Sequence, residues 1–129
     1  MEFDFNRYVE VFNQNDEDLL GKLFFTEDIV CDGPDRTFSG LEEWLGMLKF
    51  SHIGLHERLV PLFVVREGDK IMAVVNVEFT ATADRLDFHF GPLKLGDSLK
   101  MRFFASYQLR GDKISYMSLA WWPPGLRSV

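Results

Sequence analysis

Between Ser98 and Trp122 apolar and polar side chains alternate through two runs, SLKMRFFASYQLR and KISYMSLAWW, separated by Gly111-Asp112. A two-residue connection that begins with Gly suits a tight hairpin, because Gly takes the positive φ that such a turn demands. Folding the chain there predicts Leu109 opposite Ile114, Tyr107 opposite Tyr116, Ala105 opposite Ser118, Phe103 opposite Ala120 and Met101 opposite Trp122. That face is mostly apolar along its length. The other begins polar at Gln108 and Ser115 and ends apolar at Phe104, Leu119 and Trp121. A sheet dry on one face throughout, and on the other over half, has two things to pack against. The chain's own helices are expected on one face and a second subunit on the other.

Upstream, Phe5, Tyr8, Val9 and Phe12 recur at i, i+3, i+4, i+7 and predict an amphipathic first helix that stops by Asn13-Gln14-Asn15. Asp16 then caps a shorter second helix with Leu19, Leu20, Leu23 and Phe24 facing inward. Ile29-Val30-Cys31 reads as a short strand, closed by the turn-rich Asp32-Gly33-Pro34-Asp35. Ser39 followed by Glu42 forms a capping-box pattern, so a third helix starts near Gly40 with Leu41, Trp44, Leu45 and Leu48 inward. After Gly54 the periodicity becomes that of strands, 59–66 and 70–82, joined by Glu67-Gly68-Asp69. Along Ile71 to Ala81 the apolar residues fall on odd positions, whereas Leu86, Phe88 and Phe90 are even. A strand changes faces only through a bulge or a break, which is expected near Ala83-Asp84. Arg85, Asp87 and His89 then share one side.

At 129 residues the chain reads as one domain, long enough to bury a real core. Apolar content of 47% with 13 Phe favours a folded globule over a disordered chain. The net charge of -6, with Lys and Arg scattered, argues against nucleic acid or an anionic membrane as partner. A single cysteine, Cys31, leaves no internal disulfide, and the acidic MEFDFNRY start shows no apolar leader core. Without an apolar run of spanning length, the expected compartment is the cytoplasm.

Three helices with a short strand between the second and third, followed by four antiparallel strands, make an α+β chain in which helices cover one face of a curved, mostly antiparallel sheet. Arg7-Tyr8-Val9 through Asn13 and Asp16, Phe25 with Glu27-Asp28, Asp32-Gly33-Pro34, Ser39-Gly40 and Gly111-Asp112-Lys113-Ile114 carry a likeness in order and spacing. In these residues the chain resembles the NTF2-like, or SnoaL-like, superfamily along essentially its full length. The resemblance implies a cystatin-like cone with an apolar pocket between sheet and helices, commonly in a homodimer. A fold of this kind hosts many chemistries, so the site must be argued separately. Ketosteroid isomerase offers one comparison: its helix-borne Tyr and first-strand Asp match Tyr8 and Asp32, while its second oxyanion donor falls at about Ala105. Limonene epoxide hydrolase offers another. Its Arg-x-Asp pair matches Arg85-Leu86-Asp87, while its last-strand Asp falls near Leu119.

The resemblance makes Asp32 the candidate general base and Tyr8 the oxyanion donor, with Asp87, oriented by Arg85, as a second acid or polar anchor. A carboxylate in an apolar pocket would have its pKa raised toward working pH. The plainer alternatives are a turn aspartate, a core tyrosine bonded to backbone, and a surface ion pair. Trp44, Leu48, Phe63, His89, Phe103, Ala105, Tyr107 and Trp122 are expected to line the pocket, whose ligand is a small hydrophobic carbonyl or hydroxyl compound. His52 and His56, spaced i, i+4, lack the Glu and the third ligand that zinc hydrolysis needs, and no metal or organic cofactor is expected. Cys31 reads as a small buried hydrophobe. Two functions stay open. One is cofactor-independent proton transfer of isomerase, lyase, cyclase or hydrolase type. The other is non-catalytic ligand binding or dimeric assembly with the same pocket.

Overall fold

A computed structural model describes residues 2–124. The first helix, α1 (Phe5–Asn13), is capped by Asp4, whose carboxylate accepts from the backbone N–H groups of Asn6 and Arg7, and it buries Tyr8, Val11 and Phe12. Asp16 caps α2 (Glu17–Phe24) through the Leu19 N–H, as its position predicts. The chain passes directly into β1 (Phe25–Asp32), longer than the apolar triplet alone suggests, and then β2 (Thr37–Ser39). β2 is a strand the pattern does not announce, because three mostly exposed residues carry no periodicity. The capping-box expectation at Ser39 is corrected. Ser39 ends β2, Gly40 at φ 94° is the N-cap of α3 (Leu41–Ser51) without a side-chain cap, and the Ser39 N–H is met by Glu43.

Then follow β3 (Leu55–Glu67), β4 (Lys70–Ala81), β5 (Ser98–Arg110) and β6 (Lys113–Trp121). The strands form one unclosed, curved sheet in the order β2-β1-β6-β5-β4-β3. β1 runs parallel to β6 and every other pair is antiparallel. Odd positions of β4, from Ile71 to Ala81, are buried, which sets the inner face. β4 stops at Ala81, and residues 82–97 make an excursion held by a two-way backbone pair between Arg85 and Leu93.

The hairpin of β5 and β6 keeps Leu109 opposite Ile114 but shifts at the next pair, so that Gln108 faces Tyr116. Ser115 is the extra residue of a bulge, its hydroxyl bonded to the Gln108 carbonyl. The expected pairs beyond it are therefore off by one: Tyr107 lies opposite Met117, Ala105 opposite Leu119 and Phe103 opposite Trp121. Met117, Leu119 and Trp121 turn inward. On the outer face Phe63, Val74, Phe104 and Ala120 lie in a row across four strands, beside Val65 and Met72. Phe63, Val65 and Met72 are each more than half exposed. Among the described residues no helix is long and apolar enough to cross a membrane.

Candidate functional site

Between α1, α3, the 82–97 excursion and the inner face of the sheet lies a cavity of about 330 Å³. Its wall is largely aromatic and aliphatic, with Phe79, Phe88, Phe90, Phe103 and Trp121 making one connected group of rings. The exposed polar members of the wall, Asp35, Arg36, Asp87 and His89, mark its mouth. There His89 Nε2 meets Asp35 at 3.0 Å, tying the excursion to the β1–β2 turn.

Tyr8 is 1% exposed within a cage of Phe3, Phe5, Phe12, Phe24, Phe25 and Tyr107 rings. Burial pushes its pKa well up, and the Tyr107, Cys31 and Glu57 charges add to this, so the hydroxyl stays protonated and is available as a donor. Tyr107 is raised by the same causes, burial first and then Cys31. Burial pushes the Cys31 thiol up to about 12, with Asp32 contributing, which leaves it a neutral wall residue rather than a thiolate nucleophile.

Arg85 is 6% exposed although it lies in an irregular segment. Its Nη1 donates to the carbonyls of Phe50, Ser51 and Ile53 at 3.3, 2.9 and 2.6 Å, closing the C-terminal end of α3 where the helix dipole favours a cation. Nε binds Asp87 Oδ1 at 3.0 Å, and the guanidinium lies over the rings of Phe50 and Phe88. Nη2 is buried and has no hydrogen-bond partner among the described residues, and the same holds for Trp44 Nε1. Both residues line the cavity.

A second polar group sits in the wall. His52, the residue after α3, is 6% exposed at its side chain and lies between two carboxylates. Nδ1 is 2.9 Å from Glu17 Oε1 and Nε2 is 2.8 Å from Glu57 Oε1. Burial, the largest single influence, lowers the imidazole pKa, but the bonds and charges of Glu57 and Glu17 together outweigh it and raise the net value. Glu57 lines the cavity. Its backbone is gripped by Asn15, whose amide donates to the Glu57 carbonyl at 2.8 Å and accepts from the Glu57 N–H at 3.0 Å. Asn13 grips Leu59 in the same way, so the turn after α1 stands in for a further strand along the edge of β3.

The structure brings together Tyr8, Arg85, Asp87, Trp44, Leu48, His89, Phe103, Ala105 and Tyr107 on one cavity. It does not bring Asp32, Phe63 or Trp122 there. Asp32 is a correction of consequence: Cys31 takes the inward position, and the next residue of β1 points to the opposite face. There Asp32 accepts from Thr37 Oγ1 at 2.7 Å and from the Tyr116 hydroxyl at 3.0 Å, which hold its carboxyl below the usual range. Phe63, after a register shift in β3, pairs with Val74 on the outer face. Trp122 meets the Phe104 ring at a tilt on the outer face, because the bulge shifts β6 by one residue and turns Trp121 inward instead. Helix α3 ends before His52 and His56 belongs to β3, so these histidines do not share a helix face. Glu57, Glu17 and His52 were not foreseen as a unit. One signal was available: between Leu55 and Leu59, Glu57 occupies an inward position on a strand.

Helices covering one face of an unclosed six-stranded sheet, with an apolar cavity between, define the NTF2-like class of α+β proteins. The SnoaL-like domain family matches residues 5–117, and the chain belongs to that family. Among solved structures it resembles a SnoaL-like polyketide cyclase from Agrobacterium tumefaciens (TM-score 0.69, 19% identity, 91% of this chain and 87% of that one). It also resembles an NTF2-like protein from Burkholderia pseudomallei (0.72, 15%, 92% and 88%). A third is a protein of ketosteroid isomerase-like fold from Catenulispora acidiphila in complex with trimethylamine (0.68, 13%, 87% and 79%). At these identities the likeness shows the fold. No curated protein gives a significant match.

Proposed function

We propose that the protein binds a small, mostly apolar compound bearing a carbonyl or hydroxyl group in the cavity. Acid and base side chains of the wall exchange a proton with it, a chemistry that needs no organic cofactor or metal. The observation that carries this reading is the pair of buried donors, Trp44 Nε1 and Arg85 Nη2, without partners in an otherwise apolar wall. A buried donor left unpaired is costly, and acceptor oxygens on a bound compound would meet that need. The Agrobacterium relative, a polyketide cyclase by name, is in keeping with an oxygen-bearing carbon skeleton. Binding without turnover is favoured by Ala105 and Leu119, which occupy the wall without a polar side-chain atom. The outer sheet face is proposed as the contact between two copies of the chain.

Titration with 2-tetralone, an apolar bicyclic ketone, followed by tryptophan fluorescence tests the binding reading, because Trp44 and Trp121 report from the wall. Saturable quenching is expected, and Ala105→Phe, whose ring would occupy the cavity, is expected to abolish it with the far-UV circular dichroism unchanged. Quenching that survives this substitution places the ketone elsewhere and sinks the reading.

A further inference from the structure

We propose that Glu57 is the group that takes the proton from a carbonyl compound in the cavity and returns it, with His52 and Glu17 as positioning residues behind it. This rests on the binding reading above and adds the identity of the acid–base centre.

Three observations converge on Glu57. Strand parity turns it inward, and its backbone is fixed at both N–H and carbonyl by Asn15, so the side chain starts from a rigid point. Its side chain is 12% exposed and engages His52 through Oε1, and no hydrogen bond to Oε2 is found among the described residues. Tyr8 lines the same cavity, and the Glu57 charge is among the influences that raise its hydroxyl pKa, after burial, Tyr107 and Cys31. A carboxylate with one free oxygen and a phenol hydroxyl in the wall of one apolar cavity supply the acceptor and the donor that enolisation requires.

The chain Glu57–His52–Glu17 has a direction. Glu57 touches the cavity, His52 is buried between the carboxylates, and Glu17 on α2 is the outermost member at 15% exposure. His52 lies at the carbonyl end of α3, and its ring meets Phe12 edge-on, both of which fix its orientation. Such an array holds the inner carboxylate in one orientation and gives a proton taken up there a hydrogen-bonded route outward.

In the proposed step a C–H bond α to the ligand carbonyl breaks and its proton bonds to Glu57 Oε2. The electron pair moves into the carbonyl, whose oxygen becomes negative and accepts a hydrogen bond from the Tyr8 hydroxyl. Return of the proton to the same or a conjugated carbon restores every charge, with no oxidant or reductant consumed.

The test follows exchange of the α-hydrogens of 2-tetralone for deuterium in D2O buffer by NMR, with binding measured in parallel by fluorescence. Wild-type protein is expected to accelerate exchange. Glu57→Gln is expected to reduce it by about 100-fold or more with 2-tetralone still bound, and Glu57→Asp to recover part of the rate. His52→Gln, which can still donate to Glu57, is expected to retain binding and displace the pH profile of exchange, a readout that a merely structural role would leave in place. The charged and titratable groups facing this centre are Tyr8 from α1, Glu17 from α2 and Lys49 from α3, on which the Glu17 charge acts; Arg85 of the 82–97 excursion bonds the Ser51 carbonyl next to His52, and His56 lies exposed on the other face of β3. Wild-type-like exchange by Glu57→Gln, or wild-type protein that binds the ketone without accelerating exchange, overturns the assignment and leaves the binding reading standing. Wild-type protein that does not bind 2-tetralone overturns both.

Discussion

Asp32 and Glu57 are both strand carboxylates, and parity alone separates a hydrogen-bond acceptor on the outer face from a group in the cavity wall. Asp32 is held by Thr37 and Tyr116 on the outer face. Asp32→Asn should therefore leave 2-tetralone binding and α-hydrogen exchange at the wild-type level. A loss of exchange beyond about 10-fold, measured on protein with an unchanged melting temperature, would restore Asp32 to the mechanism. At this scale the residue types were legible in the sequence: a tyrosine on the inward stripe of the first helix, an arginine two before an aspartate, a cysteine among apolar neighbours. Which carboxylate meets the cavity was not legible, because a one-residue step in a strand reverses the face of every side chain.

His52 joins three elements: it follows α3, touches α2 through Glu17 and touches β3 through Glu57. Its folded-state pKa lies above the value of an unstructured imidazole, so the native state holds its proton more tightly than the unfolded state does. The resulting stabilisation is fully present below the unfolded value of about 6.5 and is lost as pH rises through the folded value. Urea midpoints measured from about pH 6 to about pH 9 should fall across that window, and His52→Gln should flatten the fall. Equal slopes in the two proteins would mean that the triad holds no protonated imidazole. The helices and long strands were readable from periodicity and caps. The Ser115 bulge was not, because a bulge is a compromise between two strands already paired, and it alone decides that Leu119 and Trp121 face the cavity.

Across the whole molecule, the outer face of the sheet carries Phe63, Val65, Met72, Val74 and Phe104 together, with the Trp122 ring tilted against Phe104. The expectation of a dimer first rested on Phe104, Leu119 and Trp121. The last two are now in the cavity wall, and the strand residues of β3 and β4 take their place in the argument. A contiguous apolar face of this kind is rarely left open to water. Light scattering at micromolar protein should report a dimer, and Met72→Lys together with Phe104→Lys should convert it to a folded monomer. A wild-type monomer at that concentration would refute the contact.

By itself the sequence determined the α+β class, the helix positions and the Asp16 cap, the strand-rich second half and the apolar inner stripe. These follow from 3.6- and 2-residue periods and from local hydrogen bonding, which act over a few residues. Tertiary structure alone decided the parallel pairing of β1 with β6, the strand that the 37–39 segment adds, and the convergence of Glu17, His52 and Glu57 from three separate elements. Those depend on contacts between distant parts of the chain, where a shift of one residue costs little locally and exchanges the inside of the protein for its outside.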